Sequence, residues 1–329
     1  MERNITKKIT GILLSAIVVM VAVIVLNYTQ EGKSYQGRDA EPEYVFTFVC
    51  PLRWTVTAYG IENADAEFHA NTKLVGSGQL NTSLQAQAIQ EAIATKPDGI
   101  ITAGMEDSQI LIDAIDQAAS TGIPVVLVDN DLPQTHRISY IGSDNQKLGE
   151  MTAEKMAELT GGEGQVCLIV SNLDNANQLE RVEGFQNVLI DYRDLQISGI
   201  MECESEPLEV GDQYMEFIAE NPDTTAVCCL EGRAAKEIGN ILDDSQEERP
   251  YVVAVDYNTS DGSRPQEEIY GAIFKQDMEQ QGYLAVRTLV NYLQGKAVEE
   301  IQYTDIACYD QENLENIKDV CKVYDWRLY

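Results

Sequence analysis

The sequence predicts an α/β chain made of two doubly wound parallel-sheet lobes, preceded by one N-terminal transmembrane helix. Three observations predict it. Short apolar runs such as VVLV and YVVAV are continuous, lacking the alternation of a sheet wetted on one face, so they read as strands covered on both sides. Amphipathic stretches with apolar residues at helical spacing separate the runs, which is the order of a parallel sheet with crossover helices. The alternation continues for roughly ten strand–helix units, more than one small sheet holds. A single (β/α)8 barrel is the competing architecture.

The first element is the apolar segment. Residues 9–30 (ITGILLSAIVVMVAVIVLNYTQ) carry no charge, and about 20 apolar residues at ~1.5 Å per residue cross a ~30 Å hydrocarbon core. Arg3, Lys7 and Lys8 precede it, which favours an amino end held in the cytoplasm and a main domain outside. No small-x-small cleavage pattern follows Leu26, and the first cysteine is Cys50, which excludes a lipid-modified start. The expected division is a cytoplasmic N-terminus (1–8), an anchor (9–28) and a polar linker (29–42) in the cell envelope. A cleaved signal peptide is the alternative. Coil statistics put the linker ends roughly 20 Å apart.

Beyond the linker, YVFTFV is the first strand, followed by a helix-permissive stretch through Ala70 and then TKLVG. In LQAQAIQEAIAT, residues Leu84, Ala88, Ile89, Ala92 and Ile93 share a helical face. DGIITA, a helix with Ile110, Leu111, Ile115 and Ala118, IPVVLVD and HRISYIGS continue the pattern. The helix LGEMTAEKMAEL ends at Gly161-Gly162, a plausible stop. GGEGQVCLIVS, NQLERVEGFQNVLIDY, LQISGIM, VGDQYMEFIAEN, TTAVCCL, RAAKEIGNILDD, PYVVAVD, YGAIF and MEQQGYLAVRTLVNYLQG complete it.

Charge and composition narrow the function. The chain's 54 acidic residues against 23 Lys and Arg give a formal net charge of −31, which excludes nucleic acid as a partner. His69 and His136 are its only histidines and no Cys/His pattern has zinc spacing, so neither a metal nor another cofactor is expected. No GxxxxGK[ST] is present. The seven cysteines are an odd number, with Cys167, Cys228 and Cys229 in strand-like runs and Cys308 and Cys321 as one pairing option.

In open α/β sheets ligands sit beyond the carboxyl ends of strands. The polar residues there are Arg53 and Trp54, Asp129 and Asn130, Ser143 and Asp144, Glu231, Asp256 and Gln276, with Arg181 on a helix. The segments PLRWTVTAYGIEN, KPDGIITAG, GIPVVLVDND, YIGSDNQKLGE, ERVEGFQNVL, VVAVDYNTSDG and AIFKQDMEQQGYLAV resemble, in order and spacing, the type I periplasmic sugar-binding proteins. That ribose- and galactose-binding group shares its domain with lactose-repressor-like regulators, and the resemblance covers roughly residues 43–306.

The resemblance implies two lobes joined by three crossing segments near Ser143, Gln276 and Asp305. Residues 43–142 with 277–305 would form one lobe, and 143–276 with 306–329 the other. It implies that Trp54 stacks on a sugar ring, that Asp129 and Asp256 accept hydroxyl protons, that Arg181 donates to sugar oxygens, and that Ser143 and Gln276 add polar contacts beside the hinge. Arg53 stands where a second aromatic is common, Asn130 where arginine is frequent, Glu231 where asparagine is frequent, and Ala103 where a polar residue is common. Ribose or galactose specificity is therefore not carried over, and an amino sugar, a sugar acid or another polyol fits equally.

Each residue also has a plainer reading. Trp54 suits a lobe-edge core aromatic, Arg181 a pair with Glu183, and Asp129 and Asp256 caps of following helices. The implied function is an extracytoplasmic receptor that presents a small carbohydrate to the membrane permease of an ABC importer. A sensor reporting to a membrane histidine kinase is the alternative, and a two-carboxylate glycosidase a remote third, so the chain is not expected to be an enzyme. A cleft arginine is expected to contribute little to the fold.

Overall fold

The computed structural model describes residues 43–50, 54–76, 81–105, 108–203, 207–243, 249–257 and 265–317. The expected anchor and linker, Arg53 and Cys321 lie outside them, and among the described residues no helix is long and apolar enough to cross a membrane.

In chain order the elements are β1 (Tyr44–Cys50), α1 (Thr55–Phe68), β2 (Ala70–Gly76), α2 (Thr82–Thr95), β3 (Gly99–Thr102), α3 (Gln109–Ser120), β4 (Val125–Val128), β5 (Ser139–Gly142) and α4 (Asn145–Thr160). They continue with β6 (Glu163–Val170), α5 (Ala176–Leu189), β7 (Asp194–Glu202), α6 (Pro207–Glu220), β8 (Ala226–Cys229), α7 (Gly232–Asp243), β9 (Tyr251–Val255), β10 (Tyr270–Gln276) and α8 (Met278–Leu293). Two short strands follow, β11 (Ile301–Tyr303) and β12 (Ile306–Asp310). They form two open six-stranded sheets, ordered β11-β5-β4-β3-β1-β2 and β12-β10-β9-β8-β6-β7, so the barrel is excluded. Every pairing is parallel except β10 with β12.

Each sheet is covered on both faces, which is why its strands read as unbroken apolar runs. Phe46, Phe48, Val126 and Ile141 meet Ile61 and Ala64 of α1 and Leu284, Val286 and Leu289 of α8. Their neighbours Val49, Ile100, Val125 and Leu127 point the other way, onto Ile89 of α2 and Leu111 and Ile115 of α3. In the second sheet Val166, Leu168 and Val253 pack on α4 and α5 through Leu148, Met156, Val182 and Phe185. Cys167, Ile169, Val252 and Ala254 pack on α6 and α7 through Val210, Tyr214 and Ile238. Cys167, Cys203, Cys228 and Cys229 are buried free thiols, Cys308 is an exposed one, and Cys50 is buried. Burial alone pushes the Cys167 thiol up to about 12.

The chain crosses between the sheets three times. β5 ends at Gly142 in the first sheet, whereas α4 packs on the second. β10 ends at Gln276 in the second sheet, whereas α8 packs on the first. β11 and β12 belong to different sheets and are joined through Thr304 and Asp305. Hydrogen bonds tie the crossings together: Thr304 N–H donates to the Gly142 carbonyl (2.8 Å) and Asp277 N–H to that of Asp305 (3.3 Å). Asp144 and Asp277, the residues that open α4 and α8, each accept from the backbone N–H three residues on. The lobes thus repeat one plan, each ending in a strand, a crossing and a capped helix that belongs to the other lobe.

Candidate functional site

Because β5 and β10 run straight into crossings, the carboxyl ends of the two sheets face each other across the hinge. Asp129 follows β4 and Asp256 follows β9, and both adopt a left-handed backbone, with φ of 66° and 58°. Aspartate tolerates that region better than most residues. The two are counterparts: Asp129 N–H donates to the Ile141 carbonyl of β5 (3.0 Å), and Asp256 N–H to the Phe274 carbonyl of β10 (2.8 Å). Among the described residues neither caps a helix. The same turn thus brings one carboxylate from each lobe within electrostatic reach of the other.

Arg181 lies on α5 and is only 2% exposed. Its Nε donates to Asn145 Oδ1 (2.9 Å), Nη1 to the Leu230 carbonyl (2.7 Å) and Nη2 to Gln276 Oε1 (3.1 Å). No bond to Glu183 is needed to hold it, and three of the five guanidinium donors are used, leaving N–H groups for a ligand. Gln276 passes the network on: its backbone N–H and Nε2 donate to the two oxygens of Asp256 (3.1 and 2.8 Å). Asn145, Arg181, Gln276 and Asp256 thus form one chain of side chains with set orientations.

Asp129 faces this chain from the other lobe. Burial raises its carboxyl to about 6, Arg181 opposes the rise, and Asp256 adds to it. Tyr140 stands behind it, donating its hydroxyl to the Asp129 carbonyl (2.9 Å), and burial pushes its phenol well above the ordinary value. Asn130 is buried, and its Oδ1 accepts from Asn177 N–H of α5 (3.3 Å), a direct contact between the lobes. Ser143 Oγ, at the first crossing, and Asn177 Oδ1 are buried with no hydrogen-bond partner among the described residues, which carries a desolvation cost.

Trp54 is half-buried where the chain enters α1, its ring 6.3 Å from that of Phe48 and tilted by 48°. It closes the edge of the first lobe's core. Glu231 spends its carboxylate locally: its oxygens accept from Arg233 N–H (3.0 Å) and Ala234 N–H in the first turn of α7, and the Cys203 thiol stands 3.5 Å away. The capping role considered for the aspartates therefore falls to Glu231. Asn145, Asn177 and Tyr140 were not among the residues singled out from sequence. Asn145 sits two places after Ser143 in YIGSDN, and Asn177 four places before Arg181, on the same helical face.

Chemically, the site offers two carboxylate acceptors from opposite lobes, a fixed cationic donor beside them and small polar groups at the crossings. It suits a small molecule rich in hydroxyls, held by charge-assisted hydrogen bonds. Among the described residues no group of His, Cys, Asp and Glu is arranged to hold a metal ion.

The chain matches the family described as periplasmic binding protein domain over residues 53–297. It is 26% identical over 199 residues to the D-apiose import binding protein of Actinobacillus succinogenes, an alignment covering 60% of this chain and 63% of that protein, so it spans less than two thirds of the relative. Among solved structures it resembles GanP, a glucose-galactose binding protein from Geobacillus stearothermophilus (TM-score 0.75, 24% identity, 82% of this chain and 98% of that one). It also resembles a chain of a XylFII–LytSN complex (TM-score 0.74, 23% identity, 82% and 98%). With the family matched across both lobes and the same fold found in these structures, the chain belongs to the type I periplasmic binding protein family.

Proposed function

We propose that this protein is a membrane-anchored extracytoplasmic receptor that closes on a small carbohydrate or polyol and presents it to the permease of an ABC importer. One observation carries the reading: Asp129 from one lobe and the Arg181–Gln276–Asp256 chain from the other converge on one cleft beside the hinge. The import role of the D-apiose relative supports it. Sensing, with a membrane histidine kinase as partner, is the second reading. It is favoured by the uncharged segment 9–30 with no cysteine before Cys50, which suits a fixed anchor better than a lipid tail.

A thermal-shift panel of D-apiose, D-ribose, D-arabinose, D-glucose, D-galactose, xylitol, glucosamine and glucuronate tests the binding reading. A sugar present at 100 times its dissociation constant adds about 2.7 kcal/mol of stability. A panel in which no compound raises the transition contradicts the assignment. Neighbouring genes separate the two partners, with permease and ATPase genes expected beside an import receptor and a kinase–regulator pair beside a sensor.

The anchor is tested separately. The mature chain is expected to begin at or near Met1 and to stay with membranes through a high-salt wash, because burial of about 20 apolar residues does not depend on charge. A soluble form starting after residue 26 contradicts it.

A further inference from the structure

Helices α4 and α5 touch backbone to backbone at two glycines. A methyl group on Gly149 of α4 would overlap the Arg181 carbonyl, and one on Gly184 of α5 would overlap the Gln146 carbonyl. The first lobe repeats the arrangement between α8 and α1: a methyl on Gly282 would overlap the Thr57 carbonyl, and one on Gly60 that of Glu279. In all four cases the glycine lies three residues after the residue whose carbonyl its counterpart faces. A glycine inside a helix costs about 0.5–1 kcal/mol relative to alanine, so four of them at matched positions need a packing reason, and the carbonyl contacts supply it.

The seam has a second tie. Asn145, the first residue of α4, accepts from Arg181 Nε across it (2.9 Å). α4 begins immediately after the first crossing, and Asp144, the residue before it, caps it.

We infer that Gly149 and Gly184 are positioning residues that, with Asn145, set where the Arg181 guanidinium stands and lock it to the helix emerging from the hinge. Arg181 and the first crossing then move as one body. The pair Gly60 and Gly282 does the same for α1, which Trp54 leads into, and α8, which leaves the second crossing. The importance of this for binding rests on the proposed role of Arg181 toward sugar, but its geometry does not.

The test follows the Asp129 carboxyl by NMR in the full-length chain labelled with 13C-aspartate, its signal assigned by loss in Asp129→Asn. Arg181 is the group that holds the Asp129 carboxyl down. Gly149→Ala and Gly184→Ala should therefore move its titration upward by about half a unit or more. Gly239→Ala, whose methyl would overlap the Tyr270 hydroxyl in the same lobe, should destabilise without moving it. If both seam variants fail to fold, Asn145→Ala, which cuts the tie and adds no bulk, should give the same upward shift. An Asp129 titration unchanged in every folded seam variant, or moved equally by Gly239→Ala, overturns the inference. An upward shift in a protein that binds none of the panel sugars upholds the seam and overturns the proposed function instead.

Discussion

Arg181→Ala is expected to weaken binding of the best panel sugar by about tenfold to a hundredfold, the loss of a charged donor worth roughly 1.5–3 kcal/mol. Titration calorimetry of the variant checks it, and an unchanged affinity would mean that the spare guanidinium N–H groups do not touch the sugar. The structure also corrects the expectation that the fold is indifferent to this residue. At 2% exposure, Arg181 satisfies Asn145 Oδ1, the Leu230 carbonyl and Gln276 Oε1. Truncation leaves three acceptors to be rehydrated by whatever water enters the cleft, at about 2–4 kcal/mol of stability in total. Arg181→Lys keeps the charge but not the fork, so it should recover only part of either loss.

Asp129→Asn is expected to move stability and binding in opposite directions. Burial lifts the folded carboxyl from its ordinary 3.8 to about 6. The folded protein therefore holds a proton that the unfolded chain has released between those values. Stability from this group is complete below 3.8, falls as pH rises through 6, and is absent at neutral pH, a deficit of at most about 3 kcal/mol. Asparagine removes the buried charge and tolerates the left-handed backbone, so the variant should melt higher at pH 7 and the gap should close toward pH 4. Binding goes the other way, because the ionised carboxylate is the better acceptor for hydroxyl protons. Affinity of the parent should fall below pH 6, and that of the variant should be lower at pH 7 and flat with pH. A variant that melts no higher than the parent at pH 7 would contradict the buried charge.

The central strands were legible where burial on two faces forces continuous apolar runs. VVLV at β4 and YVVAV at β9 are such runs, with every residue of β4 buried. The two strands after α8 were not legible. β11 is IQY and β12 is IACYD, neither with a fully buried residue, so no apolar run marks them, although they make the third crossing. The carboxylates of the site were legible because strand ends in an open α/β sheet are where ligands sit. What escaped were side chains whose role comes from folding partners. Asn145 matters because α5 brings Arg181 against it, and Tyr140 because β4 and β5 pair. Glu231 shows the converse: a strand-end carboxylate that its own helix takes up. The repeated glycine spacing stands in the sequence at Gly60, Gly149, Gly184 and Gly282, but it reads as a repeat only once the four carbonyls it faces are known.

The account requires that a sugar be gripped by both lobes, so that occupancy and lobe orientation are one event. Small-angle neutron scattering of the full-length chain in contrast-matched detergent, with and without the best panel sugar, measures this most directly. A smaller radius of gyration that saturates with the calorimetric midpoint is the predicted result. A sugar that binds while the radius stays constant would contradict closure and confine the pocket to one lobe.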